Sequence, residues 1–369
     1  MRINEITVFS YEANYRHGTY SISHGRLAKG QKSIVVRIRT DDGVEGWAET
    51  APLGSDYLPS SFTGELAAIK ELGPQILGLD PLSPATVDGV MDRAMMGAMA
   101  AKAVIDMACW DIAGKALGLP TATLLGGFLS ERPPAFSVIG IRDVDAAISQ
   151  VQGELDKGAV AMQLKAGDNP LIDARRVKAI RDAVPENIQI WADANGGWTI
   201  DEALTFARAI GQAVTVGIEQ PCRTLADCAE VGRRTGLPII LDESVVTVAD
   251  LFAAHAGGIA GVNLKPSRVG GLTKARLIRD AAAAMDMVIN CDDTWGSALT
   301  TVQNVLLATT TPSRSLRAVD LFAEWTEPLI ADVPRMEADG RITPSTQPGN
   351  GYGTIRIELL GEPLFQIGA

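Results

Sequence analysis

Four apolar runs in the middle of the chain decide its fold: Ile188-Gln-Ile-Trp-Ala-Asp193-Ala-Asn195, Val216-Gly-Ile-Glu219-Gln-Pro221, Pro238-Ile-Ile-Leu-Asp242-Glu243 and Gly261-Val-Asn-Leu-Lys265-Pro266. Their charged ends follow one another at intervals of about 25 residues, the length of a parallel strand with its return helix and loops. In a parallel (β/α) barrel the carboxyl ends of all strands open at one mouth. The runs therefore predict a barrel whose mouth gathers three carboxylates and a lysine.

The carboxylates Asp193, Glu219 and Asp242 are the predicted metal ligands. Any one of them alone could cap a helix or lie on the surface, but three at consecutive strand ends indicate a shared site. Because three anions at one barrel mouth repel one another, a divalent cation is the natural occupant. Oxygen ligands without Cys or His favour Mg²⁺, with Mn²⁺ as the second choice.

Two lysines end apolar runs in the same way. Lys165 closes Met162-Gln-Leu-Lys165, and Lys265 closes a later run, which places them on the predicted second and sixth strands, opposite each other across the barrel. A lone lysine is usually solvated, but an opposed pair indicates acid–base work. We expect burial and nearby cations to lower the lysine pKa toward neutrality. Removal of a proton beside a carboxylate also needs the enediolate to be stabilised, so the constellation predicts metal-assisted α-proton abstraction.

The rest of the chain predicts two domains. Residues 1–130 carry strand signals, with a hairpin turn at Asp41-Asp42-Gly43, and then helical periodicity, which is typical of an α+β domain. Residues 131–340 carry eight strand patterns with helices between them, which predicts the barrel. Residues from about 340 to 369 are expected to pack back on the first domain, with a strand-like stretch at Thr354–Leu359.

Composition excludes several classes of function. A net charge of −11 and a pI near 4.9 argue against binding to nucleic acid or to anionic membranes. The sequence has no long apolar segment, so we expect neither a signal peptide nor a membrane span. We therefore expect a cytoplasmic location. The four cysteines lack CxxC spacing, so we expect reduced thiols and no zinc site.

Several motifs together give the chain a resemblance to a known family: Cys109-Trp-Asp-Ile-Ala-Gly-Lys115, Leu124-Leu-Gly-Gly127, Asp193-Ala-Asn195, Ile218-Glu-Gln-Pro221, Leu241-Asp-Glu243 and Lys265-Pro-Ser-Arg-Val-Gly-Gly271. Over nearly its whole length the chain resembles the enolase superfamily, in the muconate-lactonizing branch of the mandelate racemase family. The resemblance implies an α+β capping domain over a (β/α)7β modified TIM barrel and a homo-oligomer. It also implies Mg²⁺ on Asp193, Glu219 and Asp242, with Lys165 and Lys265 as the acid/base pair.

One position departs from that family. The branch usually has Lys-x-Lys on the second strand, and Gln163 stands in place of the first lysine. The missing charge should leave the pKa of Lys165 less depressed.

The end of the predicted seventh strand, Asn290-Cys-Asp-Asp293-Thr-Trp295, suggests an ammonium site. A carboxylate and an indole beside the pocket would suit a substrate ammonium, although Asp293 could instead cap the next helix. Together with Gln163 and Tyr57, this stretch resembles the subgroup that acts on proline-like substrates, among them hydroxyproline betaine and cis-3-hydroxyproline. The expected substrate contacts are Tyr20, Tyr57, Gln163, Asn195, Asp292, Asp293, Trp295 and Asp320, with the loops that carry Tyr20 and Tyr57 closing over the mouth.

The sequence therefore predicts abstraction of the α-proton of a small carboxylate substrate, a cyclic amino acid or betaine, with either epimerisation or dehydration as the outcome. A muconate-type cycloisomerase or dipeptide epimerase is the alternative within the family, and a metal-binding barrel without activity is a distant one. A histidine base is not expected, because His17, His24 and His255 lie away from the predicted strand ends.

Overall fold

The computed structural model describes residues 1–16, 18–22, 25–55, 57–211 and 216–369. The N-terminal part of the chain is an antiparallel sheet covered by helices. The predicted turn at Gly43 forms the hairpin between two of its strands, and Gly43 adopts a φ of 85°. The strands are β1 (Ile3–Tyr15), β2 (Tyr20–Ile22), β3 (Arg26–Ala28), β4 (Gly30–Thr40) and β5 (Glu45–Thr50), and the helices are α1 (Phe62–Ile76), α2 (Pro84–Ala94), α3 (Met99–Leu117) and α4 (Thr121–Leu124).

A closed barrel of eight parallel strands follows, and each strand pairs with its neighbours in the chain until the eighth pairs with the first. The prediction of a modified TIM barrel under an α+β capping domain is confirmed. The strands are β6 (Ala135–Ile139), β7 (Ala161–Lys165), β8 (Gln189–Asp193), β9 (Gly217–Glu219), β10 (Ile239–Leu241), β11 (Gly261–Leu264), β12 (Val288–Cys291) and β13 (Leu316–Asp320). The helices between them are α5 (Val144–Asp156), α6 (Pro170–Ala183), α7 (Ile200–Ile210), α8 (Leu225–Thr235), α9 (Val248–Ala256), α10 (Pro266–Val269), α11 (Leu272–Ala284) and α12 (Ala298–Thr309).

Side-chain caps fix where the barrel helices begin. Thr199 and Thr247 each form a reciprocal capping box with the acidic residue three positions later, and Asp143, Asn169 and Thr224 accept backbone N–H groups of the first turn. Short strands and capped helices alternate, so each strand end is held at the mouth.

The last strand of the barrel is followed by no α-helix in residues 321–369, all of which the structure describes. The chain instead returns to the capping sheet, where β14 (Thr326–Glu327) and β15 (Phe365–Gly368) pair with β1. The expected strand at Thr354–Leu359 is wrong, since this stretch ends in a 3-10 turn at Ile357–Leu359. Both edges of β1 are already occupied, so no strand edge remains there for this stretch to pair with.

Helix α3 joins the capping domain to the barrel. Asp106 accepts hydrogen bonds from the backbone N–H and the hydroxyl of Thr273 at the start of α11, and the Trp110 indole donates to the same hydroxyl at 2.9 Å. Lys274 forms an ion pair with Asp88 on α2. The cap is therefore anchored on the barrel at the start of α11. Among the described residues, no helix is long and apolar enough to cross a membrane.

Candidate active site

The three predicted metal ligands and Lys165 lie side by side at the mouth of the barrel. Strand register pairs Lys165 with Asp193 and Asp193 with Glu219, and Asp242 directly follows β10. The three carboxylates are fully buried, and Lys165 and Lys265 are 8% and 5% exposed. Alternation along parallel strands thus brings together side chains that are far apart in the sequence.

Asp193 and Asp242 are neutralised by cations of the chain itself. Lys165 Nζ lies 2.5 Å from Asp193 Oδ2, and Lys265 Nζ lies 3.1 Å from Asp242 Oδ2. The Arg268 guanidinium also bonds Asp242, on its other oxygen. Arg268 is a residue that sequence reasoning missed, although it lies within the quoted Lys265-Pro-Ser-Arg motif.

Glu219 is held differently, by three neutral donors. Its oxygens accept hydrogen bonds from Trp191 Nε1 at 2.7 Å, Asn263 Nδ2 at 2.9 Å and Gln163 Nε2 at 3.0 Å. Trp191 and Asn263 were not predicted, although Asn263 is two residues before Lys265 and therefore points to the same face of its strand. Gln163, the departure from the family pattern, donates to a predicted metal ligand.

The electrostatics of this cluster favour an additional cation. Burial raises the pKa of Glu219 well above its usual range, and the charges of Asp193 and Asp242 raise it further. Burial lowers the pKa of both lysines, but nearby carboxylates, led by Asp193 for Lys165 and by Asp242 for Lys265, raise it by more. In the chain alone, the lysine pKa shift is thus opposite to the sequence-based expectation, because the carboxylates outweigh burial.

The donor set fits Mg²⁺ chemically. Within the described residues no three Cys, His, Asp or Glu side chains form a ready-made metal site, and the carboxylates instead bond lysines, arginine and neutral donors. Two buried oxygens beside them, Asn195 Oδ1 and Glu243 Oε2, have no hydrogen-bond donor. Anionic and unpartnered oxygens crowded at one point are the ligands that a hard divalent cation prefers.

All predicted lysines and substrate contacts line one cavity above the carboxylates. The cavity leaves about 20 Å³ for the centre of a water-sized sphere, which is room for about one water molecule. Residues from the cap and from the barrel mouth meet around this small space, so the capping loops must shift to admit a substrate. The predicted residues that line it are Tyr20, Tyr57, Gln163, Lys165, Asn195, Lys265, Asp292, Asp293, Trp295 and Asp320.

Tyr57 connects the cap directly to the cluster of carboxylates and lysines at the barrel mouth. Its hydroxyl donates to Asp242 Oδ2 at 3.1 Å and accepts from Lys265 Nζ at 3.2 Å. Lys265 is also 3.2 Å from Asp292 Oδ2. One lysine therefore joins the carboxylate cluster, the cap and the far wall of the cavity.

The two aspartates of the seventh strand end have different surroundings. Asp293 bonds the backbone N–H and hydroxyl of Ser267, at the start of α10, and the backbone N–H of Thr294. Asp292 instead faces Asp320, whose pKa is raised well above its usual range by burial and then by the Asp292 charge. The acidic pair at the cavity wall is thus Asp292 with Asp320.

An aromatic cluster completes the wall. The Trp295 ring lies 5.3 Å from the rings of both Tyr20 and Trp325, and Phe322 packs at 5.5 Å. Trp325 was not predicted, because it follows the last barrel strand in an irregular segment. His255 lies exposed on α9, while His17 and His24 lie outside the described residues.

The barrel, its capping domain, the buried carboxylates and the opposed lysines define the enolase class of barrel enzymes. Residues 5–126 match the mandelate racemase / muconate lactonizing enzyme N-terminal domain, and residues 146–354 match the enolase C-terminal domain-like family. The chain belongs to the mandelate racemase / muconate lactonizing enzyme family of the enolase superfamily.

Individual relatives within the family are similar over most or all of the chain. A cis-3-hydroxy-L-proline dehydratase of Roseibium aggregatum is 39% identical over 366 residues, which is 99% of each protein. An N-succinyl-L-Arg/Lys racemase of Bacillus cereus is 30% identical over 283 residues, 74% of this chain and 75% of that protein. A crystal structure of an enolase superfamily member from Roseovarius nubinhibens complexed with magnesium is 35% identical, with a TM-score of 0.93 over all of both chains.

Proposed function

We propose that the chain is a Mg²⁺-dependent lyase that removes the α-proton and the β-hydroxyl of a proline-like amino acid, with cis-3-hydroxyproline as the best-fitting substrate. The observation that carries the proposal is the placement of two lysines on one small cavity whose wall holds an acidic pair. The 39% identity to a cis-3-hydroxy-L-proline dehydratase over 99% of both chains supports the substrate class.

The lysines approach the cavity from opposite sides. Lys165 ends β7 and Lys265 follows β11, which are four strands apart in a closed barrel of eight. A substrate held between them presents one face of its α-carbon to each lysine. One lysine can then take a proton while the other delivers one to the opposite face.

This opposition selects a stereochemistry for dehydration. In a cis-3-hydroxyproline the hydroxyl shares a face of the ring with the carboxylate, so the α-hydrogen lies on the other face. One lysine then takes the α-hydrogen, the electron pair forms the Cα–Cβ double bond, and the hydroxyl leaves as water with a proton from the second lysine. In the trans isomer the α-hydrogen and the hydroxyl lie on the same face of the ring, so two lysines on opposite faces cannot reach one each.

Asp292 and Asp320 are proposed to hold the substrate nitrogen. Burial and then the charge of Asp292 raise the pKa of Asp320, so an ammonium between the two aspartates would replace a like-charge contact by ion pairs. The rings of Tyr20, Trp295 and Trp325 form the adjoining wall, and their faces suit a cationic ring nitrogen. Asp293, which is bonded to Ser267 and Thr294, positions α10 in this proposal.

Asp193, Glu219 and Asp242 are proposed to hold Mg²⁺, which would stabilise the negative charge that develops on the substrate carboxylate as the α-proton leaves. Gln163, Trp191 and Asn263 orient Glu219, and Arg268 orients Asp242. We also propose a cytoplasmic location, which four buried unpaired cysteines and the acidic charge support, and a homo-oligomeric state.

The test is NMR in D₂O with Mg²⁺ and four substrates: the cis-3 and trans-3 isomers of hydroxyproline, and both enantiomers of proline betaine. We expect the wild type to dehydrate the cis-3 isomer and to leave the trans-3 isomer intact. Lys165→Ala and Lys265→Ala should each lose dehydration by at least about 10²-fold, as expected when a general acid or base is removed. The variant that retains the base should still exchange the α-proton.

Lys178→Ala is the matched control, because Lys178 is exposed on α6, the helix that follows β7, and should leave every rate unchanged. Exchange of the α-proton of proline betaine without dehydration of either hydroxyproline would show that the activity is that of an epimerase and not of a lyase. A set of dipeptides is assayed in the same way, and exchange only with these would support the dipeptide epimerase alternative. The absence of exchange with every carboxylate tested would support the remaining alternative, a metal-binding barrel that has no activity.

A further inference from the structure

A β-bulge turns one arginine into the interior of the barrel. In the pairing of β12 with β13, Ile289 lies opposite Leu316 and the next residue, Asn290, lies opposite Ala318, so Arg317 is the extra residue. Leu316 packs in the core between the strands and the outer helices, whereas Ala318 belongs to the layer inside the barrel. A bulge re-aims a side chain in this way, and here it directs Arg317 inward.

The Arg317 guanidinium lies on an aromatic face instead of an ion pair. Its central carbon is 5.4 Å from the centroid of the Trp191 ring, within cation–π distance. Among the described residues, no carboxylate forms an ion pair with it and no hydrogen bond from it is recorded. Burial lowers the pKa of Arg317, and the charge of Glu219 offsets this only in part, so the guanidinium is held in an unfavourable environment. An inward cation that no carboxylate of the described residues bonds is a feature that the catalytic proposal does not use.

Arg317 also lines a cavity at the opposite end of the barrel from the catalytic mouth. The cavity has about 590 Å³ of space for the centre of a water-sized sphere, and Gln189 and Ser313 offer hydrogen-bonding groups in its wall. Arg341 is exposed at its rim, and its recorded hydrogen bond goes to the carbonyl of Arg132. Arg132, also at the rim, is already paired with Glu337 and Asp339. Glu131 is the carboxylate in the lining.

Two guanidinium groups thus face one cavity, Arg317 inside and Arg341 at the rim, and neither forms an ion pair with a carboxylate in the part of the chain that the structure describes. We propose that this end of the barrel is a binding site for a small dianion, of the sulfate, phosphate or dicarboxylate class, with Arg317 as its central ligand. Each arginine presents a planar fork of N–H donors that matches two oxygens of such an anion. Ser313 and Gln189 can donate further hydrogen bonds to the anion.

The site is coupled to the catalytic mouth through one side chain. Trp191 stacks on Arg317 and donates its indole N–H to Glu219 Oε2 at 2.7 Å. An anion that draws Arg317 toward the cavity changes the environment of the Trp191 ring. Tryptophan fluorescence therefore reports binding at the far end of the barrel without any measurement of turnover.

The experiment titrates inorganic sulfate into the magnesium-loaded protein at constant ionic strength, kept with chloride, by calorimetry and by fluorescence. We expect saturable binding of one sulfate per chain and a fluorescence change with the same Kd. Arg317→Met should weaken the affinity by at least about tenfold, the loss expected for a charge-assisted contact of this kind. Arg341→Met, at an exposed position, should weaken it less but measurably. Trp191→Phe should keep the calorimetric signal and lose most of the fluorescence change.

Arg314→Gln is the matched control. Arg314 lies three residues earlier, is exposed and is paired with Asp286, so its loss changes the net charge equally without touching the cavity. Its sulfate affinity should equal that of the wild type. Absence of saturable binding, or equal affinities in the Arg317, Arg341 and Arg314 variants, would overturn the proposal and leave only general screening by salt. Succinate in place of sulfate then shows whether a dicarboxylate or an inorganic oxyanion is preferred.

Discussion

Among the described residues, no cation contacts Glu219 at the mouth, and this makes Glu219→Gln an informative change. Asp193 and Asp242 have lysine or arginine partners, whereas Glu219 has only the neutral donors Trp191, Gln163 and Asn263. The substitution keeps the shape and removes the charge. A half-turn of the Asn263 amide presents its unpartnered oxygen to the new amide nitrogen, so the hydrogen bond to residue 219 is retained, at the cost of the weaker bond from Asn263 to Asp292.

The substitution should have opposite effects with and without metal. Without metal, loss of a buried anion next to two others should raise the stability of the fold, because burial and the charges of Asp193 and Asp242 both disfavour the ionised form of Glu219. With Mg²⁺ at about 100 times its Kd, ligand binding stabilises the wild type by about 2.7 kcal/mol, whereas a variant that binds about 100-fold more weakly gains only about 0.4 kcal/mol. Divided by the unfolding entropy of a chain of this length, these free energies correspond to Mg²⁺-induced rises in Tm of about 3.5 °C for the wild type and about 0.5 °C for the variant.

The assay is thermal unfolding in chelator and in excess Mg²⁺. Glu49→Gln is the control: Glu49 is also buried, but its hydrogen bonds come from Tyr11, Ser33 and the backbone at the start of α12 and not from groups that hold the predicted metal ligands. It should lower Tm in both conditions and leave the magnesium shift intact. A full magnesium shift in Glu219→Gln, or a lower Tm in chelator, would refute the reasoning that uncompensated charge at Glu219 supports metal binding.

Three further changes test other parts of the structure. A cavity of about 380 Å³ adjoins the catalytic cavity behind Tyr20 and Trp325, so Trp325→Ala should join the two and admit N-acyl amino acids, detected as new α-proton exchange in D₂O. Arg176 donates to the backbone carbonyl of Lys165 at 2.8 Å, so Arg176→Met should lower kcat by about tenfold while the magnesium shift in Tm persists. Burial raises the pKa of the Asp106 carboxyl to about 7 in the folded protein. The protonated carboxyl therefore contributes its full stability below the pKa of the unfolded chain, and this contribution is lost as the pH rises to 7. Asp106→Asn should flatten the resulting fall in Tm between about pH 4 and 7.

The barrel could be predicted because strand periodicity and charged strand ends carry its whole topology. The five quoted runs that end on Lys165, Asp193, Glu219, Asp242 and Lys265 contain strands whose observed bounds lie within two residues of those runs, since buried parallel strands read as short apolar runs. The strand expected at Thr354–Leu359 failed because local alternation gives no information about a free sheet edge. Pairing partners, not propensity, decided that segment.

The same distinction between regular and irregular structure decides which site residues could be predicted. Side chains that point inward from regular strands, such as Lys165 and Glu219, follow from alternation alone. Arg317 could not be predicted, because a bulge breaks the alternation and reverses the face it occupies. Trp325 lies in irregular chain after the last strand, where no period exists.

The pair of aspartates after β12 shows what decides between two neighbouring candidates. Asp292 and Asp293 are indistinguishable by composition, yet one faces Asp320 and Lys265 across the cavity and the other is bonded to Ser267 and Thr294. The difference arises where β12 ends, because the backbone N–H of Asp292 still bonds β11 while Asp293 turns toward α10. The place where strand pairing ends therefore determines which carboxylate is available to an ammonium, and a substitution of Asp292 should affect substrate affinity where one of Asp293 affects stability.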